Sequence, residues 1–136
     1  MPRFRKTERI TSLKEIEHLF ERGYSSSIQA MPLRAVYQLY TGDAEMMPEI
    51  RVLVSVAKKR LRHAVDRNRA KRQVREAYRL QHQALSAVLR SRGKHMRMAF
   101  VWLSEGPVAT EEIFDAMGKI LAAISAKLKS SQTTNL

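Results

Sequence analysis

The segment IRVLVSVAKKRLRHAVDRNRAKRQVREAYR, residues 50–79, combines the periodicity of a strand with that of a helix. It begins with alternation: Val52, Val54 and Val56 would lie on one face, which is typical of a half-buried strand. A basic connection over 58–63 follows, and then apolar residues recur at helical spacing. The sequence therefore predicts a strand over 50–57 and a long helix over 64–90.

Upstream of this stretch, the sequence predicts one helix and two strands. Ser12 and Glu15 form a capping box at the start of the helix, and Gly23 follows as its C-terminal cap. A short edge strand is predicted over 24–28 and a longer strand, rich in Val, Leu and Tyr, over 33–40.

Downstream, Gly93 ends the long helix, and 96–104 is predicted as a strand with apolar residues on both faces, internal in the sheet. A last helix begins at Thr110. Its buried stripe is predicted to contain Ile113, Phe114, Met117, Ile120, Leu121, Ile124 and Leu128. The order αβββαβα, with three helices and a small sheet of roughly four strands, predicts an α/β two-layer sandwich.

Length and composition indicate one domain over residues 1–136, with a mobile basic lead-in over 1–9 and a disordered tail over 130–136. The absence of cysteine excludes thiol catalysis and fits a reducing compartment, and we expect a cytoplasmic protein. No apolar run is long enough for a signal peptide or a membrane span, so no membrane partner is expected.

The charge is unusually positive and is concentrated in one region. The chain has 25 Lys and Arg against 13 Asp and Glu, a formal net charge of +12. Residues 51–79 hold 11 basic and 2 acidic residues, and so supply +9 of that total. A domain with such a localised cationic region is predicted to bind a polyanion.

No catalytic or metal site is predicted in the protein itself. The four histidines are scattered, and no metalloprotease, P-loop or serine hydrolase motif occurs. Glu111 and Glu112 suit the first turn of a helix, where the macrodipole favours acids, better than they suit a catalytic pair.

The polyanion would bind along the helix over 64–90. Its basic positions and Asn68 fall mainly in one band away from the apolar stripe; Arg69 flanks the band, and Arg67 projects nearer the stripe. Like charges at i,i+4, such as Lys71 and Arg75, disfavour an isolated helix, and Arg72 with Glu76 is one pair of opposite charge at this spacing. A solvated helix face is the simpler alternative, but it needs more acids. From charge and periodicity, the polyanion could be either RNA or DNA.

The segment SVAKKRLRHAVDRNRAKRQVREAYR, residues 55–79, resembles the signature of the bacterial ribonuclease P protein subunit. That family shows S-V-x-K-K at a strand end and A-x-x-R-N-R-x-K-R-x-x-R-E after a short basic connection, and the spacing is kept here. The resemblance extends to a first helix with L-F-E-R-G at its end, residues 19–23. It implies a left-handed βαβ crossover, similar to that of a ribosomal-protein domain.

The resemblance also implies a function. The chain would be the protein subunit of a ribonucleoprotein endoribonuclease that removes the 5′ leader of precursor tRNA, with catalysis and Mg²⁺ residing mainly in the partner RNA. Its partners would be that catalytic RNA and precursor tRNA, with no protein partner required. The implied RNA-binding residues are Lys58, Lys59, Arg60, Arg62, Arg67, Asn68, Arg69, Lys71, Arg72 and Arg75.

A cleft for the leader is implied at Ile16, Phe20, Tyr37 and Ser55. Phe20 matches an aromatic residue of the family, whereas Ile16 stands where the family often has phenylalanine. Arg34 is near the position of another family aromatic, for which Tyr37 would substitute. Ordinary core packing is the alternative for Ile16 and Phe20.

Three other functions are alternatives to this one. A non-catalytic ribosomal or RNA-assembly protein would use the same kind of basic surface. A protein nuclease is disfavoured because the sequence shows no acidic metal cluster, and a DNA-binding regulator because it shows no groove-reading motif.

Overall fold

A computed structural model of the chain describes residues 25–41 and 49–134, with side chains as far as residue 130. The capping box at Ser12 and Glu15 and the helix predicted after it lie outside the described residues. The elements, in chain order, are β1 Ser26–Ala30, β2 Leu33–Thr41, β3 Ile50–Ser55, α1 Ala64–Gln81, α2 Gln83–Ser91, β4 Lys94–Trp102 and α3 Thr110–Thr134.

The strands form one four-stranded mixed sheet in the order β1-β2-β4-β3. β2 pairs antiparallel with both β1 and β4, whereas β3 and β4 are parallel. A parallel pair needs a crossover connection, which α1 and α2 supply. The prediction that β4 is internal is confirmed, since it lies between β2 and β3.

The two faces of the sheet have different surroundings. The inner face, which carries Val52, Met98 and Phe100, belongs to the main core together with the buried stripes of all three helices. The outer face carries a much smaller cluster, in which Leu53 packs against Val36 and Ala99. Strand alternation produces this division, because successive side chains point to opposite faces. The predicted α/β two-layer architecture is confirmed.

The long helix predicted over 64–90 is interrupted at His82. The His82 backbone N–H donates to Tyr78 O, and its Nδ1 lies 3.1 Å from both Tyr78 O and Arg79 O. Its ring also stacks on Tyr78, with ring centroids 4.8 Å apart. A side chain that contacts the helical carbonyls is a known cause of helix irregularity. Gly93, with φ of 64°, follows α2 as predicted, because glycine accepts this left-handed conformation at little cost.

Two predictions about α3 need correction. Phe114 is 41% exposed, because it lies at the edge of a stripe whose other members are buried. The helix also continues to Thr134, through most of the segment 130–136 that was expected to be a tail. No glycine or proline interrupts this segment, and each further helical residue adds a backbone hydrogen bond.

Candidate RNA interface

The rotation of α1 about its axis is fixed by its buried stripe. Ala70, Val74, Ala77 and Tyr78 pack in the core, and Gln73 is buried beside them. The amide Nε2 of Gln73 donates to Val108 O and to Thr110 Oγ1, both at 3.0 Å. These bonds tie α1 to the start of α3. Gln73 was not among the predicted site residues, although a glutamine inside an apolar stripe is a recognisable signal.

The opposite side of α1 carries a set of polar residues that we call the cationic band: Asn68, Arg69, Lys71, Arg72 and Arg75. Asn68, Arg69 and Arg72 are exposed, whereas Lys71 and Arg75 are half-buried. In residues 25–41 and 49–134, no ion-pair partner occurs for Arg69, Lys71 or Arg72. Arg69, Lys71 and Arg72 are therefore cations whose charge the described part of the protein does not neutralise.

The ion pair predicted between Arg72 and Glu76 does not form. Glu76 instead pairs with Arg79, whose Nε lies 3.0 Å from Oε2 and whose Nη2 contacts Oε1. The planar guanidinium can take both carboxylate oxygens at once. The hydrogen bond from Arg79 lowers the pKa of Glu76. Arg72 consequently stays available to an external anion.

The basic connection over 58–63 is held against the start of α1 by Arg67. Its Nη1 donates to Leu61 O and to Arg62 O, each at 2.9 Å. Leu61 is only 3% exposed and anchors the same segment in the core. Arg67 thus serves a structural purpose as well as contributing charge. Lys58, Lys59 and Arg62 are exposed, so the cationic surface extends beyond the helix.

Arg60 differs from its neighbours in the connection. Its Nη1 lies 2.7 Å from Glu105 Oε1, in the loop after β4. Glu105 is highly exposed, so the ion pair is one that a phosphate could displace at modest cost. Arg60 must therefore give up its ion pair with Glu105 before it can bind RNA. Lys58 and Lys59 have no such ion pair among the described residues.

The predicted leader cleft is only partly described. Ile16 and Phe20 lie outside the described residues. Tyr37 and Ser55 are on opposite faces of the sheet, because Tyr37 is in the main core and only 6% exposed. Burial raises the pKa of Tyr37, although a hydrogen bond with Ser26 acts in the opposite direction. Tyr37 therefore cannot substitute for an aromatic residue beside Ser55.

Arg34 occupies the position for which Tyr37 was considered. It pairs with Val101 of β4, which in turn pairs with Ser55 of β3. These three residues form one row across the outer face. Arg34 is exposed and its Nη2 lies 3.5 Å from Ser27 Oγ. Arg34, rather than Tyr37, thus lies in the same row as Ser55.

Two further features of the described residues bear on function. No three or more His, Asp or Glu side chains within 25–41 and 49–134 come together as potential metal ligands. None of the described helices is long and apolar enough to cross a membrane.

Comparison with known proteins gives a consistent result. The family model described as Ribonuclease P matches residues 4–121. The ribonuclease P protein component of Porphyromonas gingivalis strain W83 is 40% identical over 130 residues, covering 96% of this chain and 92% of that relative. The corresponding protein of Chlorobium phaeobacteroides is 34% identical over 105 residues, covering 73% and 70%.

Solved structures support the fold independently. The RNase P protein of Staphylococcus aureus superposes with a TM-score of 0.61 at 19% identity, covering 86% of this chain and 94% of that one. The Thermotoga maritima RNase P protein gives a TM-score of 0.57 at 20% identity, covering 88% and 96%.

Proposed function

Because this chain belongs to the ribonuclease P protein family, we propose that its cationic band and basic connection bind the catalytic RNA and that its outer sheet face binds the leader of precursor tRNA. The chain is the protein subunit of a ribonucleoprotein endoribonuclease that acts in tRNA 5′ processing.

The observation that carries the proposal is the charge of Arg69 and Arg72, which no acid among the described residues pairs with. Arg69 and Arg72 are exposed and lack an ion-pair partner among the described residues, while nearby Glu76 is occupied by Arg79. Arginine binds phosphate through two parallel hydrogen bonds, which suits a folded RNA backbone. Asn68 adds a donor and an acceptor for a sugar or a base edge.

We further propose that the catalytic Mg²⁺ is held mainly by the RNA. The protein would then promote cleavage by binding and positioning the precursor and by lowering the repulsion between two RNA molecules. Cations on the protein partly replace the counterions that two polyanions need to approach each other. The benefit of the protein should therefore be largest at low Mg²⁺. The cytoplasm is the compartment that this function requires.

The test is cleavage of a labelled precursor tRNA at low Mg²⁺ by a bacterial ribonuclease P RNA, with and without the protein. Faster cleavage at the mature 5′ end, only when RNA and protein are both present, is expected. The charge-removed variant R69Q/R72Q should lose most of this stimulation, whereas K119Q/K127Q, which loses the same charge from exposed positions of α3, should retain it. Tight RNA binding without stimulation would favour a ribosomal or assembly role instead.

A further inference from the structure

One polar side chain lies inside the buried stripe of α1. Gln73 is 9% exposed, and Ala70 and Ala77, one turn away on either side, belong to the main core. The amide Nε2 of Gln73 donates to Val108 O and to Thr110 Oγ1, each at 3.0 Å. Both acceptors lie where the loop after β4 becomes α3. A single amide therefore joins the helix of the cationic band to the start of α3.

A second glutamine joins the same two helices at the other end of α1. Gln81 is the last residue of α1, and its Nε2 donates to Phe114 O at 2.9 Å. The two glutamines are eight positions apart, which corresponds to about 12 Å along a helix. The first turns of α3 thus hold α1 at two points, and Gln73 is the one at the level of the cationic band.

Hydrogen bonds fix this contact in a way that apolar packing does not. Burial of apolar surface is non-directional, and Ala70 and Ala77 are small, so the rest of the stripe constrains the rotation of α1 less. The bonds of Gln73 need both a short distance and a nearly linear N–H···O angle. A buried polar side chain among apolar residues adds little stability but selects one arrangement of two helices, as single buried asparagines do in coiled coils.

A small rotation of α1 would move its arginine heads away from a rigid partner. A helix with its side chains is about 10–12 Å wide, so a rotation of about 20° moves a group at its surface by about 2 Å. Hydrogen bonds to oxygen span donor–acceptor distances of only about 2.7–3.2 Å. The phosphates of a folded RNA are fixed relative to one another, so Arg69 and Arg72 meet them together in one orientation of the helix.

We propose that Gln73 is a positioning residue for RNA binding: it sets the rotation of α1 against the start of α3 and so presents Arg69 and Arg72 to the catalytic RNA. This inference rests on the proposed function and adds to it a residue that does not itself touch RNA, since Gln73 lies in the core. It separates two effects of the same amide. Stability depends little on Gln73, whereas RNA affinity depends on it strongly.

The experiment replaces Gln73 by methionine, whose side chain is also unbranched but cannot donate a hydrogen bond. Val108 is half-buried and Thr110 is exposed, so water can replace the amide as their donor. Q73M should therefore melt within a few degrees of the wild-type temperature or above it. It should nevertheless bind ribonuclease P RNA about 10-fold more weakly, as for the loss of one charge-assisted hydrogen bond. Q83M, the same change at an exposed position of α2, is the matched control.

A double-mutant cycle tests whether Gln73 acts through the arginines. In the R69Q/R72Q background the arginine heads are gone, so adding Q73M should weaken RNA binding by less than about 2-fold. The orientation of α1 is measured independently with spin labels. The chain contains no cysteine, so labels can be placed at the exposed positions of V65C on α1 and A126C on α3. The distribution of label distances should broaden in Q73M but not in Q83M.

Three outcomes would overturn the inference. RNA binding by Q73M equal to that by Q83M would remove the positioning role, and so would an undiminished loss in the R69Q/R72Q background. A large fall in the melting temperature of Q73M would show that the amide is an ordinary stabilising contact. If the wild-type protein itself fails to stimulate cleavage of precursor tRNA, the proposed function fails first. The two failures are distinguishable because wild-type stimulation is measured in the same preparation.

Discussion

Removing two arginines from the cationic band should change the salt dependence of RNA binding by a calculable amount. Arg69 and Arg72 are exposed and unpaired among the described residues, so each is expected to contact one phosphate. The logarithm of the binding constant falls with the logarithm of salt concentration by about 0.9 for each phosphate contact. Two lost contacts should therefore reduce the slope by about 1.8.

This change in slope is large enough to measure directly. Over a rise in salt of about fourfold, wild-type binding should weaken by about 12-fold more than binding of R69Q/R72Q. The assay is equilibrium binding of ribonuclease P RNA to each protein across a salt series. K119Q/K127Q has the same net charge as R69Q/R72Q and controls for the general loss of attraction.

Two results would refute the reasoning. A slope equal to that of the wild type would show that Arg69 and Arg72 do not contact phosphates. An equal reduction in K119Q/K127Q would show that the protein acts as a diffuse positive charge, without a defined binding face.

Three further predictions concern stability. R67Q should lower the free energy of unfolding by about 1–3 kcal/mol, because the carbonyls of Leu61 and Arg62 lose a hydrogen-bond donor. Amide hydrogen exchange over residues 58–63 should become faster. Unchanged exchange would contradict the structural role of Arg67. G118A should stabilise the protein by up to about 1 kcal/mol, and by more in a Q81A background, because the new Cβ would lie 2.8 Å from Gln81 Oε1 and the end of that side chain must move; a double-mutant cycle in urea with no coupling would contradict this. Because the pKa of Tyr37 is raised in the folded protein, its contribution to the free energy of unfolding is complete below the ordinary tyrosine pKa of about 10 and is lost as pH rises through the raised value. Y37F should lack this loss. Ionisation of Tyr37 at the same pH as the exposed tyrosines would contradict the prediction.

Most of the fold follows from periodicity in the sequence. The alternation in β3 predicts a half-buried strand, and the apolar residues on both faces of β4 predict an internal strand, which the sheet order confirms. The interruption at His82 could not be predicted, because it depends on imidazole contacts with carbonyls of the preceding turn. The predicted burial of Phe114 was wrong, because a helical wheel places this residue at the edge of the apolar stripe but does not show how far the sheet beneath the helix extends.

The candidate site was predictable to a lesser extent. Spacing alone allows Glu76 to pair with Arg72 or with Arg79, and only the side-chain geometry decides between them. Strand alternation places Arg34 and Tyr37 on opposite faces, but it does not say which face the helices cover.

The sheet order also has a consequence for the time at which the protein can meet its RNA during synthesis. Among the described strands, β3 hydrogen-bonds only to β4, which is made after α1 and α2. Until residue 102 has emerged from the ribosome, β4 is incomplete, and the described strand that pairs with β3 is missing. The sheet against which α1 packs is then also incomplete. The helix that carries the cationic band therefore leaves the ribosome before anything can hold its orientation. RNA binding that depends on the oriented side chains of α1 therefore becomes possible only after β4 and α3 have been made.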